Sequence, residues 1–66
     1  MKGVLLMSSE AFKKHIGRRC QITTILEKKV SGTIIGVKDN WVEIETKNYV
    51  ETINIEFVER FSLTIS

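Results

Sequence analysis

Two glycines four residues apart, Gly32 and Gly36, fall inside a run of strand-forming residues, Val30-Ser31-Gly32-Thr33-Ile34-Ile35-Gly36-Val37. No other feature restricts the fold of this chain so strongly. Glycine within a strand marks a bulge, a sharp bend or the close approach of another backbone. Strand signals surround the run. Residues 20–26 are rich in β-branched side chains, and 41–46 (Trp-Val-Glu-Ile-Glu-Thr) alternate with Val42 and Ile44 inward. Lys47-Asn48 signals a hairpin turn, a fourth strand is expected over 49–54, and a fifth over 58–65 places Phe61, Leu63 and Ile65 on one face. A flat five-stranded sheet would waste the two glycines and expose two edges. The expected architecture is mainly β: a short N-terminal α-helix followed by a five-stranded, strongly bent antiparallel small barrel that closes on itself.

The helix is expected over residues 8–17. A serine of Ser8-Ser9 can cap it, Glu10 suits its first turn, basic residues suit its last turn, and Gly17 supplies a left-handed stop. Phe12 and Ile16, four apart, form one apolar stripe. So short a helix does not persist alone in water, so both side chains are expected to dock on the strands.

With 66 residues the chain holds one domain, read as an extension (1–7), the helix (8–17) and the barrel (20–65). A domain of this size buries only about 60% of its unfolded surface, so it gains from metals, disulfides or partner subunits. Cys20 is the one cysteine, and with His15 it falls short of the four ligands of a structural zinc site. No cofactor or metal is expected, which leaves self-association as the source of extra stability. No stretch approaches the roughly 20 apolar residues of a membrane span. The apolar run Val4-Leu5-Leu6-Met7 is too short for a signal peptide, and Met7 offers an alternative start. A reducing, cytoplasmic location and no membrane partner are expected.

The net charge of +2 conceals an asymmetry. Residues 1–30 carry seven basic residues against Glu10 and Glu27, a balance of +5, whereas 31–66 carry Lys38, Lys47 and Arg60 against six acidic residues, a balance of −3. Lys13, Lys14, His15, Arg18 and Arg19 form the densest basic cluster. It reads either as a phosphate-binding rim or as a solvated helix end that offsets the helix dipole. Trp41 shares a strand face with Glu43 and Glu45, so it points away from the core, toward a subunit, a base or partial burial. Acid–base chemistry needs carboxylates that are buried and shifted, and Glu43, Glu45, Glu51 and Glu59 alternate as solvated residues do. Cys20 reads as a small buried hydrophobe and His15 as a surface histidine. No catalytic residues are assigned, and a non-enzymatic binding protein is expected.

From Phe12 to Ile44 the chain resembles the Sm-like family, the Hfq-like bacterial members among them. The resemblance is carried by a helix leading into Ile22-Thr23-Thr24-Ile25-Leu26, then the glycine-bearing strand 30–37, then Asp39-Asn40-Trp41-Val42-Glu43-Ile44. It implies a homo-oligomeric ring of five to seven subunits, joined by the fourth strand of one copy and the fifth of the next. It also implies single-stranded RNA as a partner. Lys13, Lys14, His15, Arg18 and Arg19 fall near the basic rim some members use, and Asp39, Asn40 and Trp41 near the pore-side turn. The sequence departs from the family at Lys38, where an aspartate is usual, and at Asn54-Ile55-Glu56, where a cationic second motif is usual. Two functions stay open: a ring that binds RNA weakly through its rim, or an oligomeric scaffold for a protein partner that has lost the RNA site. Gly36 to Ile44 also resembles a stretch of the carbon storage regulator family, which reads as a shared hairpin.

Overall fold

A computed structural model of the chain describes residues 9–65. The order of elements is α1 (Ser9–Lys13), β1 (Arg19–Thr24), β2 (Lys29–Lys38), β3 (Trp41–Glu45), β4 (Val50–Asn54), a 3-10 turn η1 (Ile55–Phe57) and β5 (Val58–Leu63). The strands form one antiparallel sheet in the order β4-β3-β2-β1-β5. The expected mainly β architecture with a short helix is what forms. The extension 1–7, Ser8 and Ser66 lie outside the described residues.

Alternation drives the packing. Cys20, Ile22 and Thr24 on β1, Val30 and Ile34 on β2, and Val42 and Ile44 on β3 turn inward, and Phe12, Ile53 and Ile55 complete the core. β2 is ten residues long and serves two partners. Its first half pairs with β1, from Thr23↔Lys29 to Arg19↔Thr33, and its second half with β3, from Thr33↔Glu45 to Lys38↔Trp41. The sheet curls where the two halves meet. Gly32 sits at that point, and a Cβ there would strike the backbone oxygen of Glu45 and come within 2.7 Å of Ile44 Cγ2. Gly32 is therefore a close-approach glycine. Gly36 marks a register shift that leaves Ile35 as the extra residue, turned toward solvent.

Three expectations need correction. Among the described residues the helix covers Ser9–Lys13 and stops well before Gly17, where it was expected to end. Beyond Lys13 the chain tightens, with His15 N–H donating to Phe12 O at 3.0 Å and Arg18 N–H to His15 O at 2.9 Å. The helix cannot continue because Gly17 (φ +94°) donates its N–H to Ile34 O at 2.7 Å, which draws the chain onto β2. This ends the apolar stripe: Phe12 is fully buried, in edge-on contact with Phe61 at 4.8 Å, while Ile16 is half exposed. The first and fifth strands also stop early, at Thr24 and Leu63 rather than at 26 and 65, so Ile25, Leu26 and Ile65 lie beyond them and are exposed.

The third correction concerns closure. β4 and β5 are not paired with each other, so the curled sheet keeps an open seam. η1 explains why. Asn54 Oδ1 accepts from Glu56 N–H at 2.9 Å, and Ile55 N–H donates to Asn40 O at 2.7 Å. This turn redirects the chain off β4 and across to β1. Near the seam, Ile25 N–H donates to Phe57 O at 2.8 Å and Lys28 Nζ pairs with Glu51 Oε2 at 2.9 Å.

Both edges point backbone groups away from the neighbouring strand. Thr46 N–H donates to Tyr49 O, and Ile55 N–H to Asn40 O, which fixes the alternation along the β3–β4 ladder. The amides and carbonyls of Val50, Thr52 and Asn54 accordingly face away from β3. On β5, Thr64 N–H donates to Arg19 O, so Phe61 and Leu63 turn theirs away from β1.

Candidate nucleic-acid interface and seam groove

The basic segment is built by the end of α1 and the turn that binds it to β2. Gly17 and Arg18 bracket Ile34 with two backbone hydrogen bonds, and Arg19 lies opposite Thr33. Lys13, Lys14, Arg18 and Arg19 are all exposed on this short span. Lys13 Nζ lies 4.0 Å from Glu10, an exposed and weak contact. Among the described residues, Lys14, Arg18 and Arg19 have no ion-pair partner. Arg18 and Arg19 line a shallow depression with Gly17, Thr64 and Ile65, and Arg19 borders a second with Ser31, Thr33 and Lys47.

His15 is not the surface residue expected. Its ring is half buried against Phe61 of β5, with centroids 6.0 Å apart, and among the described residues its enclosed Nδ1 has no hydrogen-bond partner.

Asp39, Asn40 and Trp41 stand elsewhere. The β2–β3 turn lies five residues along β2 from Ile34, roughly 16 Å at ~3.3 Å per residue. Asp39 occupies the left-handed region (φ +54°), which aspartate tolerates in a tight turn. The Asn40 side-chain amide donates to Glu56 Oε2 at 3.3 Å, so this turn presents two carboxylates and no cation of its own beyond Lys38. Trp41 is exposed, as its strand face requires.

A groove not anticipated from the sequence runs along the seam. Thr24, Leu26, Val30, Trp41, Ile53 and Phe57 line it, and the Lys28–Glu51 pair sits within it. Its lining is mostly apolar, and Leu26, Trp41 and Phe57 are exposed. Thr24 shapes one wall, because its Oγ1 accepts from the N–H groups of Leu26 and Lys28 at 3.3 and 3.2 Å. The hydrogen bond from Lys28 to Glu51 raises the lysine pKa above its ordinary value. Only the side-chain types were legible here; a groove made by η1 folding back on the β1–β2 turn leaves no local pattern.

Cys20 is buried, and burial pushes its thiol pKa upward. Among the described residues no group of three or more His, Cys, Asp or Glu could hold a metal ion, and no helix is long and apolar enough to cross a membrane. A scan against protein-family models finds no match, and neither curated proteins nor solved structures provide a significant one.

Proposed function

We propose that this is a non-enzymatic, cytoplasmic, Sm-like protein that assembles into a ring with copies of itself and binds single-stranded RNA weakly through its basic rim. The observation that carries the reading is the pair of unpaired edges, β4 and β5, at opposite ends of a strongly curled five-stranded sheet. Unsatisfied strand edges are aggregation-prone unless something covers them, and two different edges on one chain suit a head-to-tail contact. Such contacts close into rings when the rotation permits. The element order and the bent second strand fit the family resemblance, and five to seven copies follow from that resemblance alone.

Lys14, Arg18 and Arg19, with Lys13 beside them, supply the anion-facing surface. Four exposed cations favour contacts with phosphates over reading of bases, so binding is weak and salt-dependent. A second reading is favoured by one observation: the Asn40–Glu56 contact surrounds the β2–β3 turn with carboxylates, which repel phosphate. In that reading the same assembly is a scaffold for a protein partner.

Titration of uridine-rich and adenine-rich oligonucleotides at low and moderate salt separates the two. The RNA reading predicts affinity that falls with salt, at a slope near 0.7 per phosphate contact. Lys14→Glu combined with Arg18→Glu should abolish it, and Trp41→Ala should leave it nearly intact. Tight, salt-resistant uridine binding that depends on Asn40 or Trp41 would move the site to the turn. No binding at low salt would leave the scaffold.

A further inference from the structure

The seam groove lies beside the β4 edge, and the chemistry of its lining selects what can fill it. It offers apolar walls at Leu26, Ile53 and Phe57 and one carboxylate, Glu51, whose Oε2 is held by Lys28. Among the described residues, Glu51 Oε1 has no hydrogen bond. A side chain that satisfies both features has an aliphatic stem and a cationic, forked head, which is the chemistry of arginine.

Arg60 on β5 is such a side chain. It is exposed, and among the described residues it has no ion-pair partner. Resting on the edge-pairing proposed above, we infer that Arg60 of one copy enters the seam groove of the next and pairs with Glu51 there. The register of the two edges supports this. In an antiparallel pair, residues directly opposite share a face and a hydrogen-bonding role. Val50, Thr52 and Asn54 would then meet the edge-facing Phe61 and Leu63, while Glu51 and Ile53 meet Arg60 and Ser62. Neighbouring strands lie about 4.8 Å apart, well within the reach of an arginine. Parallel pairing would instead place Arg60 beside Thr52, on the face away from Glu51, leaving the carboxylate and the apolar walls unfilled. The contact makes the interface directional: the β4 edge supplies the acid and the β5 edge the base, so like edges do not pair.

The groove carries its own reporter, because Trp41, the only tryptophan of the chain, is in its lining. Light scattering and Trp41 emission are followed over a concentration series for the full chain and for Arg60→Glu, Glu51→Lys and the double exchange, with circular dichroism confirming that each is folded. Wild type should assemble, with a blue shift of Trp41. Arg60→Glu should raise the dissociation constant by at least about tenfold, and the double exchange should recover most of the loss by restoring opposite charges. Arg60→Lys, which keeps the charge without the fork, should fall between. Assembly of Arg60→Glu at the wild-type constant would overturn this inference and leave edge pairing standing. A folded wild type that stays monomeric would overturn both.

Discussion

Three of the glycines differ in what a methyl group would meet. At Gly32 the added carbon strikes the Glu45 backbone, which cannot swing aside, so Gly32→Ala should cost about 1–3 kcal/mol, the range of overpacked cores. At Gly17 nothing lies within 4 Å of the new carbon, and the penalty is that of holding a side chain at φ +94°, about 1–2 kcal/mol. At Gly36 the nearest contact is the mobile end of Glu43, 2.8 Å away, and substitution should be close to neutral. Thermal or denaturant unfolding of the three variants should rank Gly32 and Gly17 well above Gly36. Equal effects at all three would contradict the described packing. The sequence marked Gly32 and Gly36 together, because glycine inside a β-branched run signals a bend, a bulge or a close approach. It did not separate close approach at Gly32 from a register shift at Gly36, since that depends on which strand crosses.

At the scale of elements, local signals set most of the strands and misjudged the ends. Alternation set the inward face of β3 at Val42 and Ile44, whereas Ile25, Leu26 and Ile65 read as strand residues and lie beyond the last ladder pairs. The helix was overestimated because the hydrogen bonds of Gly17 and Arg18 with Ile34, a tertiary contact, decide where it stops. A five-residue α1 owes its place to Phe12, so Phe12→Ala should cost about 3–5 kcal/mol and leave a domain this small largely unfolded. Loss of only the helical signal, with the sheet intact, would contradict that role. On the opposite side, Thr24→Val keeps the shape but removes the acceptor for two loop amides. It should cost about 1 kcal/mol and loosen the groove wall at Leu26, observable as faster amide exchange at Leu26 and Lys28. Unchanged exchange there would show that the loop is held by other means.

At the scale of the whole molecule, the candidate sites divide into what sequence proximity could reveal and what it could not. Lys13, Lys14, Arg18 and Arg19 are close along the chain and all exposed, so sequence proximity alone groups them. His15 was grouped with them by position alone, and its packing on Phe61 is a tertiary contact that no local signal announces. The seam groove joins the β1–β2 turn, β4 and η1, and no single stretch of sequence announces it. In the proposed assembly a neighbour would cover the β4 and β5 edges and the exposed Leu26 and Phe57, and would add to a small core. The most direct measurement is the native mass of the full chain at micromolar concentration. The account predicts an assembly of five to seven copies that dissociates on dilution; a well-folded single chain across the whole concentration range would contradict it.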